Sequence, residues 1–196
     1  MDYELDVDPA LAAAVLEVEG HHARIGWDRP AGLYALVDTA TLVVQEPDLA
    51  AQLGLDAPAE QGSLTPIEQE ALPPGQELEQ VLPGIVWPDQ VTGCVAVVER
   101  LVLPPAADGQ VPADPEAALE FARDHPAAEE VRIVAGVTRH GASYCALRMR
   151  SHDEDSAVMG GVDLVPALLE LLHGTLLSEA PADGDEESMS DEGDKA

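Results

Sequence analysis

The sequence predicts an α+β domain whose sheet has about four strands, mixed or antiparallel, with helices mainly on one face. Three observations predict it. Two β-rich runs flank a short turn at His140-Gly141. A ten-residue run over 94–103 holds Val95, Val97, Val98, Leu101, Val102 and Leu103. Segments with apolar residues at helical spacing lie before, between and after these runs. Aromatic residues make up only 3% of the chain, and Phe121 is its one phenylalanine, so the core is built from Leu, Val and Ala. That supply suits helices packed on a sheet.

Taken in order, Asp8-Pro9 reads as a helix N-cap with proline at the first helical position. Leu11, Val15 and Val18 then follow at helical spacing, with Gly20 as the expected stop. Gly26-Trp27-Asp28-Arg29-Pro30 is a turn, and residues 33–37 form a buried strand. Asp38 and Thr39 cap a short helix to about Val44, and a second runs over 47–53 to Gly54. Between 55 and 93 the prolines are too frequent for long elements, and two short helices are expected near 66–71 and 76–82.

The strand over 94–103 is stopped by Pro104-Pro105. Asp114-Pro115 caps a helix over 116–125, which leaves open a parallel βαβ crossover into the next strand. Residues 131–139 and 143–150 read as a hairpin. After a polar loop at 151–155 and Gly160-Gly161, Asp163 caps a last helix through Leu177. One domain over 1–178 is expected, followed by a disordered tail over 179–196, whose Asp, Glu, Ser and Gly cannot offset their ordering entropy.

Formal net charge is −29, from 38 acidic and 9 basic residues. From Glu179 onward eight acids stand against Lys195, so −22 belongs to the rest of the chain. Such a field repels phosphate backbones and anionic lipid, which excludes direct nucleic-acid binding and a membrane-surface role. Part of the skew has a plainer origin: the chain has no Asn, one Lys and four Ile, as a GC-rich genome imposes. Two cysteines, Cys94 and Cys145, are far from a disulfide-stapled composition, and Met1-Asp2-Tyr3-Glu4 lacks the basic start of a secretion signal. A cytoplasmic protein is expected.

Scarce arginine supplies the candidate site. Alternation along the hairpin puts Arg148 and Arg150 on one sheet face, with Cys145, Leu147 and Met149 facing the core. Arg132 falls opposite Val131, Ile133, Ala135 and Val137, so it joins that polar face, and Arg100 joins through the neighbouring strand. With His152 beside them, these residues form a candidate binding face for a protein or a small acidic ligand, since guanidinium presents a bidentate fork. The alternative is that the arginines pair with the abundant Asp and Glu as surface ion pairs, worth about 0–1 kcal/mol each.

Other motifs are weaker. Ser151-His152-Asp153-Glu154-Asp155 matches no metal-loop spacing, His21-His22 suits a helix C-terminus, and Cys94 and Cys145 suit small buried hydrophobes. No catalytic set, metal site or cofactor motif stands out.

Several segments resemble an uncharacterised family of conserved actinobacterial proteins. They are the run Gly93 to Pro105, the run Cys145 to Asp153, Asp163-Leu164-Val165-Pro166, the Gly-Trp-Asp-x-Pro box at 26–30 and the Gly-Ser-Leu-Thr-Pro box at 62–66. The resemblance covers nearly the whole chain except the tail. It implies a GC-rich actinobacterial origin and carries over no functional residue.

The leading functional expectation is a non-enzymatic binding or adaptor domain using the arginine face. One rival is an enzyme with Arg148 or Arg150 as anion clamp and His152 or Asp153 as acid/base. Another is an acidic decoy for basic or nucleic-acid-binding proteins.

Overall fold

The computed structural model describes residues 7–55, 62–72 and 76–177. The elements run α1 (Pro9–Ile25), β1 (Gly32–Asp38), α2 (Thr39–Gln45), α3 (Pro47–Gln52), β2 (Leu64–Glu68), α4 (Leu78–Val81), β3 (Val91–Val102), α5 (Pro115–Asp124), β4 (Glu129–Thr138), β5 (Ser143–Met149), β6 (Met159–Gly161) and α6 (Pro166–Leu177). The six strands form one sheet in the order β2-β1-β3-β4-β5-β6. The α+β class stands, with six strands in place of the expected four. Every pairing is antiparallel, so α5 does not make a parallel crossover between β3 and β4. The acidic tail expected at 179–196 lies outside the described residues.

Helices cover both faces, not mainly one. On one face α1 packs Leu11, Ala14, Val15 and Val18 against Tyr34, Leu36, Val95, Val97, Val134 and Ala146. On the other, α6 and α4 bring Leu168, Leu169, Leu172, Leu176 and Leu78 onto Cys94, Ala96, Val98, Ala135 and Cys145. Both sides of the central strands are therefore core. This explains their near-continuous runs of Val and Ala, since a strand buried on two faces has no polar positions to alternate with.

The start of α1 follows the sequence: Asp8 Oδ1 accepts from the N–H groups of Ala10 and Leu11, both at 3.0 Å. Its end does not. The helix passes through Gly20 and stops at Gly26, whose φ of 92° and N–H bond to the His22 carbonyl make it the C-terminal glycine. A glycine inside a helix costs about 1 kcal/mol against alanine, and the extra turn buries His22. Gly136 is the seat for α1, because a Cβ there would lie 2.6 Å from Val15 Cγ2.

Residues 64–68 form a strand where a helix from Pro66 was expected. Proline is tolerated here because β2 is an edge strand, paired only with β1, so the missing N–H breaks no inner ladder. Gly160-Gly161, where no strand was expected, supply with Met159 the short edge strand β6. The last helix starts at Pro166 rather than just after Asp163, because the residue before a proline is turned away from helical geometry. Arg139 fastens the α6 end of the domain: its guanidinium donates to the carbonyls of Leu176, Trp87 and Val91. No helix among the described residues is long and apolar enough to cross a membrane.

Candidate functional site

Strand register sets three charged residues in a row on the α1 side of the sheet. Arg132 of β4 pairs with Glu99 of β3 on one flank and with Arg148 of β5 on the other. Two guanidinium groups side by side repel, and both are interior: Arg132 is 0% exposed and Arg148 2%. Each is neutralised by a carboxylate from a different element. Arg148 donates from Nε and Nη2 to the two oxygens of Glu19 on α1, at 2.5 and 2.9 Å. Its remaining donors reach Asp155 at 2.8 Å and Asp153 at 3.4 Å. Glu19 and Asp155 hold the guanidinium well above its ordinary pKa, against the opposing effect of burial.

Arg132 donates to Glu99 Oε1 at 3.1 Å and to the Gly26 carbonyl at 2.7 Å. Its guanidinium lies 4.3 Å from the centre of the Trp27 ring, within cation–π range. Trp27 belongs to the turn that follows α1, and Asp28 in that turn adopts a φ of 63°, a left-handed conformation Asp tolerates better than most residues. The turn is clamped onto the sheet. Glu99 Oε2 accepts from the N–H groups of Asp28 and Arg29, and Trp27 Nε1 donates to Asp153. Arg150, in the turn after β5, forks onto both oxygens of Asp28 and also holds Glu130. The Arg150 hydrogen bonds hold the Asp28 carboxyl below its ordinary pKa.

Beside this network, His22 of α1 meets Tyr34 at 2.9 Å between Nε2 and the phenol oxygen. Burial first, and then the positive charge of Arg132, lowers the His22 pKa to about 4, so the ring is neutral near pH 7. Burial also raises the Tyr34 phenol to about 12.

Of the five residues expected on one face, the structure brings together Arg132, Arg148 and Arg150. Arg100 lies on the opposite side of the sheet, one position out of phase with Glu99, where it pairs with Glu79 of α4 at 2.6 and 2.8 Å. The expectation that it joins the others is corrected by that parity. His152 is exposed, and its Nδ1 meets Ser151 Oγ rather than any of the arginines. The face is also not an open polar surface, because α1 and the Trp27 turn cover it. The residues that sequence reasoning missed are the partners Glu19, Glu99, Trp27, Asp28 and Asp155. Glu19 carried a readable signal: it lies on the same helical stripe as Leu11, Val15 and Val18, where a carboxylate needs a buried cation.

An open cleft of about 550 Å³ lies between α1 and the segment after β5. Leu16, Gly20 and Ala23 form its helical wall, Arg148 and Glu19 its floor, and Asp153, Asp155 and Val158 its rim. Asp155 is 96% exposed while still touching Arg148. The lining holds no histidine, cysteine or serine. Among the described residues no group of three or more His, Cys, Asp or Glu is arranged to hold a metal ion. Cys94 and Cys145 are both fully buried on the α6 side, and burial raises the Cys94 thiol to about 11.

These features define a three-layer α+β domain, with an antiparallel sheet between helices and an arginine–carboxylate network inside one layer. The family described as PPA1309-like protein matches residues 11–177, from the first turn of α1 to the end of α6, and the chain belongs to that family. No curated protein sequence and no solved structure matches the chain.

Proposed function

We propose that the protein is a non-enzymatic binding module whose cleft between α1 and the 153–158 segment receives a cation-bearing segment of a partner protein. The observation that carries this reading is the state of Arg148. Its guanidinium is committed to Glu19, Asp153 and Asp155, so within this ion-pair cluster the group most open to an incoming ligand is the Asp155 carboxylate. Glu19, Asp153 and Asp155 outnumber Arg148 and Arg24 in the lining, and the chain as a whole carries −29. A field of that sign draws in a basic partner and opposes a free anion. Leu16, 44% exposed, offers an apolar contact next to the rim.

A small acidic ligand would have to displace carboxylates that already satisfy Arg148. An enzyme with an Arg148/Arg150 clamp and His152 or Asp153 as acid/base gains no support from this geometry. Both arginines hold carboxylates, and His152 is bonded to Ser151. A decoy for basic proteins shares the charge logic but spreads contact over the acidic surface instead of confining it to one cleft.

Chemical-shift mapping separates these readings. A short amphipathic peptide bearing Arg and Lys is titrated into labelled protein alongside its Glu-substituted counterpart. The cleft reading expects salt-sensitive shifts at Leu16, Gly20, Ala23 and Val158 with the basic peptide alone. Shifts scattered over the whole surface favour the decoy, and a preference for the acidic peptide at Arg148 ends the proposal.

A further inference from the structure

Arg100, separated from Arg132 and Arg148 by the sheet, stands at the mouth of a second pocket. This pocket, of about 320 Å³, is floored by Val98 of β3 and Ile133 of β4 and walled by Val165, Leu168 and Leu171. Its lining is almost wholly apolar except for Arg100 and Glu79. Small-molecule sites have this make-up: a mostly hydrophobic concavity of at least a few hundred Å³ with very few polar groups that fix orientation.

We propose that this pocket binds a small amphipathic carboxylate, with its apolar chain on Val98, Ile133 and Leu171 and its carboxylate on Arg100. The sign of the headgroup follows from how Arg100 is used. A single nitrogen, Nη2, holds both oxygens of Glu79, and Nη1 makes one long bond of 3.3 Å to the Glu99 carbonyl. Nε has no protein acceptor among the described residues. The guanidinium thus keeps donors, on Nε and Nη1, for a second carboxylate. Arg100 and Glu79 are each 38% exposed, so Glu79 can also give way at small cost. The first turn of α6, at Pro166 and Ala167, lies on the same lining, and its positive end favours an anion there. The negative field of the whole chain opposes a bare anion, so affinity must come from the apolar body, which excludes acetate-sized ligands.

The test uses octanoate, 1-octanol and octylammonium at matched millimolar concentrations, followed by chemical shifts of the full chain. Octanoate is expected to move the signals of Val98, Ile133, Leu168 and Leu171 and to bind more tightly than the alcohol or the ammonium. Arg100→Met should weaken octanoate on the order of tenfold, to the level of the alcohol, as expected for a lost charge-assisted hydrogen bond. Ala167→Phe, at an exposed position on the lining, should block all three ligands and serves if Arg100→Met does not fold. Absence of octanoate shifts at these residues overturns the proposal. So does equal or tighter binding of octanol or octylammonium, or octanoate binding unchanged by Ala167→Phe.

Discussion

Arg132 and Arg148 stand directly opposite each other across β4 and β5, and both are buried. Like charges so placed are destabilising unless each has its own counter-charge. Glu99 supplies one from the adjacent strand and Glu19 the other from α1, 129 residues away in sequence from its partner. The pair therefore fastens the first helix to the last hairpin.

Removing one member should be costly. Glu19→Gln is expected to lower unfolding stability by about 3–5 kcal/mol, because it leaves a buried guanidinium without its main partner. The double variant Glu19→Leu with Arg148→Met should recover most of that loss, since well-packed apolar residues can replace a buried pair. Urea denaturation of the wild type, Glu19→Leu, Arg148→Met and the double variant reads the coupling. Single-variant losses below about 1 kcal/mol would mean the pair behaves as a surface ion pair.

Stability should fall with acid before the carboxylates titrate. The folded His22 pKa of about 4 lies below its ordinary value of 6.5, so the unfolded chain binds the extra proton first. The contribution is complete above about pH 6.5 and is lost progressively as pH falls through 4, reaching about 3 kcal/mol. His173, also lowered by burial, acts in the same direction. Denaturation between pH 7 and 4.5 should show a shallower slope in His22→Phe than in the wild type, and equal slopes would remove His22 as the source.

Gly136 should resist enlargement. The nearest atoms to a Cβ there belong to Val15, Leu11 and Val95, all in the core under α1, and Val15 has few rotamers to retreat to. Gly136→Ala is expected to cost about 1–3 kcal/mol by overpacking, read as a lowered Tm. An unchanged or raised Tm would show that α1 sits less tightly on β4.

Thiol chemistry should be silent in the folded state. Cys94 and Cys145 are 0% exposed, and burial raises both thiols. The native protein should leave a chromogenic disulfide reagent unreacted over minutes and release two equivalents in denaturant, matching the two cysteines of the chain. Fast native reaction at either position would contradict the packing beneath α6.

Much of this fold was legible in local pattern. Asp8-Pro9 marks the start of α1, and the runs around His140-Gly141 form the hairpin as read. Parity along β4 and β5 correctly puts Arg132 and Arg148 on one face. Parity says which way a side chain points but not what lies above it, so α1 and the Trp27 turn were invisible as a cover. The misplacement of Arg100 has a similar source: it needed the β3–β4 register, in which Glu99 rather than Arg100 stands opposite Arg132. Pro66 misled because a proline inside an edge strand and one at a helix start look alike until the strand order is known. Gly20 misled because tertiary burial of His22, beyond it, overrides a local stop signal.

Glu19, Asp153 and Asp155 give the cleft its negative charge, and Arg148 is already spent on them. Affinity of the basic amphipathic peptide for wild type and for Asp155→Lys, at equal ionic strength, tests this most directly, since Asp155 is nearly fully exposed and its replacement leaves the Glu19–Arg148 pair in place. The reversal is expected to weaken binding on the order of tenfold, with the Tm little changed. Unchanged affinity for the basic peptide, or tighter binding of its acidic counterpart to the wild type, would contradict it.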